Sequence, residues 1–237
     1  MASPTPSPGA LPTYVQISES IARRITAGQW LVGERLPPER TMAAEFGVAV
    51  GTLRKALSRL QDQKLLRRVQ GSGNYINIAP QAANIYSFFR LESLKGAGLP
   101  TAQLLSVDRL PKPIDTPYFG ANPAAFRFRR LRFLDHQPAA LEEIWLDGSV
   151  ADHIAPEEIS ESLYHTYQTR FGLWIVRAED RVSFAPTPTW GVDQFGLRPG
   201  ETAGYIERIA WANTGAALEF SKNWYDTSVS RYVARIK

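Results

Sequence analysis

The sequence predicts an α+β protein with a helical N-terminal unit and a larger C-terminal unit built on an antiparallel sheet. Ile17, Ile21 and Ile25 recur every four residues and form one apolar helix face. Gly71-Ser72-Gly73 separates two short strand-like runs, which indicates a glycine-tipped hairpin. After residue 87, strand-like segments flank turns such as Asp135-His136-Gln137-Pro138, which favours antiparallel pairing with short flanking helices.

The composition limits the class of protein. The chain has 237 residues, of which 44% are apolar and 21% charged, as in globular proteins of one or two domains. No apolar run is long enough to cross a bilayer, so no membrane partner is expected. The absence of cysteine excludes disulfides, thiol nucleophiles and cysteine-ligated metals, and it fits a cytoplasmic location. Residues 1–12 are expected to form a disordered arm, since the segment is rich in Pro and Ser and lacks the features of a secretory signal.

Positive charge is concentrated in the first 78 residues. That segment carries ten Lys and Arg residues against five Asp and Glu residues, whereas the remainder carries 17 against 18. A basic excess is what the neutralisation of DNA phosphates requires, although a charged surface that only faces solvent is an equally good interpretation.

Helix and turn signals divide residues 13–78 into three helices and a hairpin. Thr13 can cap the first helix, Gly28 can end it, and Pro37-Pro38 suit the entry of the second helix. Gly47 allows a tight turn before the third helix. The helices are expected over residues 14–28, 37–47 and 50–63, and the strands over residues 65–68 and 74–78. This order is that of a winged helix-turn-helix, a unit that binds duplex DNA.

Six spaced motifs run through this unit. They are Tyr14-x-Gln16-Ile17, Ile25-x-x-Gly28, Gly33-x-x-Leu36-Pro37-x-Glu39-Arg40, Phe46-Gly47-Val48, Thr52-x-Arg54-x-Ala56-Leu57 and Gly71-x-Gly73. With these motifs, the unit resembles the DNA-binding domain of the GntR family of bacterial transcription regulators. The resemblance implies that Arg40, Thr52 and Arg54 contact the operator DNA and that Gly71 and Gly73 belong to the wing.

The third helix is the expected recognition helix, and Lys55 joins Thr52 and Arg54 among its polar residues. The alternative for Arg54 and Lys55 is a solvated helix face that makes no DNA contact. The family often has a Ser/Thr-Arg pair where this chain has Ala49-Val50, and Val50 could contact a thymine methyl group instead.

A linker over residues 79–86 leads to the C-terminal unit over residues 87–237. Strands are expected over residues 126–134, 141–146, 177–184, 205–213 and 219–224, and a helix over residues 162–171. The three histidines are scattered without metal-ligand spacing, and no phosphate-binding glycine loop or nucleophile motif is present. Glu142 and Glu143 are adjacent on a strand and point to opposite faces, so one is expected to be buried and the other to face solvent.

The C-terminal unit also carries a series of motifs. They are Arg130-x-Arg132 followed by Pro138-x-x-x-Glu142, then Ser162-Leu163-Tyr164, Phe195-Gly196-Leu197-x-x-Gly200, Glu219-x-Ser221, and Tyr225 leading to Arg231-Tyr232. In their order and spacing they resemble the UTRA ligand-binding domain of the HutC subfamily of GntR regulators. The resemblance implies a chorismate-lyase-like antiparallel sheet with flanking helices, and a homodimer.

Sugar-phosphate-binding members of this family suggest an effector site. The implied contacts are Arg130, Arg132, Ser162, Tyr164, Glu219 and Tyr225. Arg130 and Arg132 share one strand face and would hold an anionic group, because guanidinium groups suit phosphate and carboxylate. Arg132 could instead pair with Glu142 across two strands, Tyr164 could serve only in core packing, and Glu219 could lie on an ordinary sheet surface.

Together these observations predict a homodimeric, ligand-responsive DNA-binding transcription regulator. They favour a repressor that a small anionic metabolite releases from its operator, with no cofactor or metal. Two alternatives remain: an architectural DNA-binding dimer without an effector, and a lyase-like enzyme, since the expected sheet is shared with a lyase. The lack of an acid/base or nucleophile set argues against the enzyme.

Overall fold

The fold was analysed in a computed structural model, which describes residues 11–26, 29–77, 88–96 and 99–234. These residues form two compact units, one over residues 11–89 and one over residues 90–233. The expected helix end at Gly28, the end of the wing at Ile78, the linker and residues 1–10 of the arm lie outside the described residues.

The N-terminal unit contains three helices and a hairpin in the expected order. Its elements are α1 (Thr13–Thr26), α2 (Glu39–Glu45), α3 (Val50–Asp62), β1 (Leu66–Val69) and β2 (Gly73–Ile76). Ile17 and Ile21 of α1 pack with Leu53 and Leu60 of α3 in one buried core, which fixes the outward direction of the polar residues of α3. Gly47 adopts a φ of 63°, and this left-handed conformation turns the chain between α2 and α3.

The start of the folded unit differs from the expectation. The expected arm includes Leu11, but the Leu11 side chain is buried. Its carbonyl oxygen accepts a hydrogen bond of 2.8 Å from Gln16 Nε2. This end of the expected arm therefore belongs to the folded unit.

The C-terminal unit is built on a six-stranded antiparallel sheet in the order β4-β5-β6-β9-β8-β7, and a separate two-stranded sheet pairs β3 with β10. The strands are β3 (Leu91–Ser93), β4 (Pro100–Pro111), β5 (Ala124–Leu134), β6 (Gln137–Asp147), β7 (Ile175–Pro186), β8 (Thr202–Ala212), β9 (Ala217–Tyr225) and β10 (Ser230–Tyr232). The helical elements are α4 (Leu163–Phe171) and short 3-10 helices at Pro156–Glu158 and Asp193–Phe195.

The turn between β5 and β6 is tighter than expected. Only Asp135 and His136 connect the two strands, with φ angles of 49° and 66°. Two left-handed residues give a hairpin turn whose twist matches that of the strands. Asp135 also accepts a hydrogen bond of 2.7 Å from the Leu99 backbone N–H. Gln137 and Pro138, which were assigned to the turn, already belong to β6.

Three strands, β3, β4 and β10, were not predicted from the sequence. β4 pairs with β5 over almost its whole length, yet it begins and ends with proline and shows no regular alternation of apolar and polar residues. This irregular pattern is possible because β4 is an outer strand of the sheet. β3 and β10 have only three residues each, which is too short for a periodic signal.

The strand register divides the charged residues between the two faces of the sheet. Arg130 lies directly opposite Glu142, and both share one face with Glu219. Glu143 lies on the other face, where it is also buried, so the expectation that one of the two glutamates faces solvent is wrong. Its carboxylate accepts hydrogen bonds from Arg129 Nε (2.9 Å) and Trp145 Nε1 (3.1 Å), and these partners make its burial tolerable.

Gly204 makes room for an aromatic ring at the centre of the sheet. It lies opposite Tyr225 in the pairing of β8 with β9. A Cβ atom on Gly204 would lie 2.2 Å from Cζ of Tyr225, which is far inside van der Waals contact. The ring of Tyr225 therefore covers the glycine, and its position depends on the missing side chain.

Replacement of Gly204 with alanine is expected to destabilise the C-terminal unit by about 1–3 kcal/mol, the usual cost of forcing extra atoms into a packed site. The free energy of unfolding in urea measures this cost. In a Tyr225→Ala background the clash is gone, so the cost of Gly204→Ala should fall close to zero. An equal cost in both backgrounds would contradict the contact.

Candidate functional site

The outward face of α3 presents the residues expected to contact DNA. Arg54 and Lys55 are exposed and Thr52 is half-buried, while Leu53 faces the core. Arg40 of α2 is exposed as well. The structure therefore leaves these four polar side chains available to a partner, on the helices that a winged helix-turn-helix uses for DNA.

Arg54 has a partner within its own unit. Its Nε atom donates a hydrogen bond of 2.7 Å to Glu39 Oε2, while its side chain stays 63% exposed. Glu39 occupies the first turn of α2, where a carboxylate also favours the helix N-terminus. The pair links the two helices of the motif and orients the Arg54 guanidinium group without burying it.

The wing is a short hairpin with a glycine on each side of Ser72. Gly71 and Gly73 adopt φ angles of 76° and 128°, which other residues rarely adopt. Ser72 Oγ and Tyr75 Oη lie 2.6 Å apart, so the tip is joined to the following strand. Arg67 stacks on the Tyr75 ring, with its guanidinium carbon 5.7 Å from the ring centroid. The wing thus offers a narrow tip flanked by a cation.

In the C-terminal unit, Glu142 joins the two arginines expected to hold an anion. Arg130 Nη2 donates to Glu142 Oε2 at 2.6 Å, and Arg132 donates to both carboxylate oxygens at 2.9 and 3.1 Å. All three side chains are buried. Arg132 therefore pairs with Glu142, as the alternative interpretation of the sequence expected, and Arg130 binds the same carboxylate.

The two arginines determine the protonation state of Glu142. Burial alone would raise the pKa of this carboxyl group, but the charges and hydrogen bonds of Arg130 and Arg132 lower it from 4.5 to about 2. Burial in turn lowers the pKa of Arg130, and Glu142 opposes that shift. The carboxylate is therefore ionised at any physiological pH.

One donor in this group stands without an acceptor. Arg130 Nη1 donates to the backbone carbonyl of Glu161 at 3.2 Å. Arg130 Nε is buried and has no hydrogen-bond partner among the residues that the structure describes. A buried guanidinium donor without an acceptor is costly, and a bound anion or water is the usual reason for one.

Glu219 of β9 lies under α4 and accepts hydrogen bonds from two tyrosines of that helix. Tyr164 Oη donates to Oε1 at 3.0 Å and Tyr167 Oη donates to Oε2 at 2.8 Å. Burial raises the pKa of the Glu219 carboxyl group. The hydrogen bonds from Tyr167 and Tyr164 oppose this shift but are weaker than burial, so the pKa stays above its ordinary value. Glu219 is therefore not an ordinary sheet-surface residue, since it joins α4 to the centre of the sheet.

Ser162 and Tyr225 have structural roles in this conformation. Ser162 is the N-cap of α4, and its hydroxyl accepts a hydrogen bond of 3.3 Å from the His165 backbone N–H. Tyr225 is buried over Gly204, and burial raises the pKa of its hydroxyl group. Ser162 and Tyr164 therefore lie at the start of α4, while Tyr225 shares β9 with Glu219 but lies six residues away from it, at the other end of the strand.

Sequence reasoning missed a second, partly buried ion pair on this face. Arg208 donates to the Asp180 carboxylate at 2.6 and 2.7 Å, and Tyr232 Oη donates to the same carboxylate at 2.8 Å. Burial alone would lower the pKa of Arg208, but its hydrogen bonds to Asp180 raise it above the ordinary value. Asp180 shares its strand face with the apolar Ala178 and Val182, which was the available signal, but no motif singled it out.

Family comparisons agree with the geometry. The sequence profile described as "Bacterial regulatory proteins, gntR family" matches residues 13–76, and that of the UTRA domain matches residues 97–230. The chain therefore belongs to the GntR family, in the architecture of its HutC subfamily, and is a DNA-binding transcription regulator. The predicted fold class, a winged helix-turn-helix followed by an antiparallel sheet with few helices, is confirmed.

Individual relatives are similar over nearly their full length. The HTH-type transcriptional regulator SmoD of Agrobacterium fabrum is 51% identical over 229 residues, which cover 97% of this chain and 98% of the relative. The repressor MngR of Escherichia coli is 27% identical over 92% of this chain and 93% of its own. The crystal structure of YydK from Bacillus subtilis matches 96% of this chain and all of its own, with a TM-score of 0.52 and 22% identity.

These relatives decide one of the open alternatives. The family and its relatives are transcriptional regulators, so the lyase-like enzyme is rejected. In the described part of the chain, every helix is too short or too polar to span a bilayer.

Removal of the Glu142 charge is expected to be strongly destabilising. Glu142→Gln leaves two buried guanidinium groups without their carboxylate, which costs about 3–5 kcal/mol at pH 7. Because the folded pKa lies below the unfolded value, the contribution is complete above pH 4.5 and is lost as the pH falls towards 2. Urea unfolding at several pH values should show the variant and the wild type converging below pH 4.5, and a difference independent of pH would contradict the pairing.

The Arg54→Ala variant tests the recognition helix. Loss of this exposed cation should weaken binding to a wild-type-selected operator fragment about tenfold or more and reduce the salt slope by about 1. Arg170→Ala is the matched control, since Arg170 is an exposed arginine of α4 that pairs with Glu158. Fluorescence anisotropy titrations at several salt concentrations measure both effects. Unchanged operator binding by Arg54→Ala would show that the recognition helix is wrongly assigned.

Proposed function

We propose that this chain is a dimeric repressor whose operator affinity falls when a small anionic metabolite binds to the C-terminal unit. Two N-terminal units would occupy the half-sites of a roughly palindromic operator. The printed name of the Escherichia coli relative describes it as the repressor of a mannosyl-D-glycerate transport and metabolism system. That name supports repression and a carbohydrate-derived effector for this chain as well.

The observation that carries the proposal is the buried Arg130 and Arg132 pair with an unused donor. Arg130 Nε lacks an acceptor in the described structure, and both guanidinium groups already lie within reach of one carboxylate. A phosphate, sulfonate or carboxylate group supplies several acceptor oxygens that match guanidinium geometry. An anion is therefore the ligand group that these residues suit best.

Tyr164 and Tyr167 explain how the rest of a ligand would be recognised. Their hydroxyl groups and the Glu219 carboxylate form a buried hydrogen-bonded group beside the arginines. Ligand hydroxyls can replace these internal partners one for one, so the site favours a polar, hydroxylated body joined to the anionic group. The replacement would loosen α4 from the sheet, which is a conformational change that ligand binding can drive.

Repression and its release then follow from linkage. If the effector favours a dimer arrangement that no longer fits the operator, it lowers operator affinity by some factor. The operator must lower effector affinity by the same factor, because both ligands act on one equilibrium.

One specific observation favours the second candidate, an architectural DNA-binding dimer without an effector. The hydrogen-bonding groups of Glu142, Glu219, Tyr164 and Ser162 all have partners within the chain. A site that satisfies itself can be purely structural, and then the C-terminal unit would serve only in dimerisation.

A thermal-shift screen against sugar phosphates, sugar sulfonates, amino-acid catabolites and dicarboxylic and aromatic acids distinguishes the two candidates. At a concentration a hundredfold above its dissociation constant, a true effector stabilises the protein by about 2.7 kcal/mol. The same compound should release the protein from its operator. Silence throughout the screen, together with sequence-indifferent and salt-dependent DNA binding, would favour the architectural protein.

Two variants locate the site of any compound found. Arg132→Ala should abolish the response, and Tyr164→Phe should weaken it while it keeps the ring packed against Tyr167 (5.7 Å between centroids). Arg170→Ala on the outer surface of α4 is the control and should respond like the wild type. A compound that still stabilises Arg132→Ala and Tyr164→Phe fully binds elsewhere.

A further inference from the structure

An outer strand of the large sheet exposes apolar side chains. β7 occupies one end of the strand order and pairs with β8 on one side only, as far as the described strands extend. Val176, Val182 and Phe184 are all exposed, and Phe184 is 72% exposed. A long outer strand with exposed apolar residues tends to pair with another strand, so natural proteins usually cover such an edge.

The exposed surface continues beside the strand. Pro117 lines a small cleft together with Glu179 and Arg181 of β7. Its neighbours in the chain, Ile114 and Tyr118, project almost fully into solvent. Val182 and Phe184 lie on one face of β7, and the cleft with Glu179, Arg181 and Pro117 lies on the other, so exposed apolar residues adjoin this strand on both faces of the sheet.

We propose that β7 pairs antiparallel with β7 of a second copy of this chain, around a two-fold axis beside Asp180. The proposal rests on the dimer of the proposed function and assigns its interface. The two large sheets would then join into one sheet of twelve strands, in which the β7 edge of each copy is paired and the two β4 strands are the outer strands.

The self-complementarity of β7 selects this register. Around Asp180, Glu179 lies opposite the partner's Arg181, and this ion pair occurs twice because of the symmetry. Ala178 lies opposite the partner's Val182, also twice. This axis leaves one like-charged pair, Asp180 opposite the partner's Asp180. An axis at Glu179 would add Arg181 opposite the partner's Arg177 to the pair of Glu179 residues, and an axis at Arg181 would pair the two Arg181 residues and remove both Glu179–Arg181 pairs.

Asp180 tolerates a position on the axis because its charge is already compensated. Arg208 and Tyr232 hold its carboxylate by three hydrogen bonds of 2.6–2.8 Å. Arg208 lies opposite Ser221 on β9, two residues from Glu219, whose carboxylate accepts the hydrogen bond of Tyr164. The interface is thereby adjacent to the proposed effector site, and a ligand that displaces Tyr164 would disturb it.

Charge reversal tests the register. Arg181→Glu places two like-charged pairs across the interface, and the dimer dissociation constant should rise about tenfold or more. Glu179→Arg combined with Arg181→Glu restores opposite charges and should restore the wild-type constant. Arg198→Glu, at an exposed turn outside β7, is the control. Sedimentation velocity over a concentration series measures the constant of the full-length protein.

A crosslink provides a second readout that does not depend on charge. Because the chain has no cysteine, Ala178→Cys combined with Val182→Cys introduces the only thiols. Residues directly opposite each other in an antiparallel pair are close enough for a disulfide, so mild oxidation should give a covalent dimer. Cysteines at Ala178 and Arg198 should give none.

The possible outcomes distinguish a failure of the β7 interface from a failure of the proposed dimer. A wild-type dimer that Arg181→Glu leaves intact, and that the cysteine pair does not crosslink, would overturn the β7 interface alone. A wild-type protein that stays monomeric at all concentrations would overturn the dimer of the proposed function. Dissociation by Arg181→Glu, restoration by the double variant and a crosslink would support the proposal.

Discussion

The C-terminal unit depends on the burial of Glu142 between Arg130 and Arg132. A charged group can leave water only when opposite charges and hydrogen bonds replace it. The hairpin of β5 and β6 supplies these partners, because its register puts Arg130 directly opposite Glu142 and Arg132 one pair further along. In the proposed function, the same two arginines would also bind the anionic group of the ligand. Stability and ligand recognition would then use the same three side chains, and a ligand would share the arginines with the carboxylate that holds them.

A second buried group joins α4 to the sheet in the same manner. Tyr164 and Tyr167 bond to Glu219, whose burial raises its pKa. These contacts are polar, so ligand hydroxyls can exchange with them at little net cost, which an apolar helix contact would not permit. In the proposed dimer, Arg208 connects the β7 interface to the Tyr164–Glu219 group. A change in the hydrogen bonds of Tyr164 would therefore affect the β7 interface through few intervening residues. A repressor needs such a connection, since the effector must change the spacing of the two DNA-binding units.

Most of the fold could be predicted from the sequence, because helix periodicity, glycine turns and spaced motifs are local signals. The arginine face of β5 was also predictable, since alternate residues of a strand share a side. The burial of Glu143 was not, because solvent exposure depends on what covers each face of the sheet. Asp180 and Arg208 were missed for a related reason, as they meet only through the pairing of β7 with β8. The sequence of one strand does not show which distant strand will pair with it. β4 shows in addition that an outer strand can form without a regular alternation of apolar and polar residues.

The central claim is that one equilibrium couples the anion site to the operator. Isothermal titration of the identified effector into the free protein and into the protein–operator complex measures that coupling directly. The account predicts weaker effector binding to the complex, by the same factor by which the effector lowers operator affinity. Equal effector affinity in the two titrations would contradict it, and the C-terminal unit would then bind its ligand without regulating DNA binding.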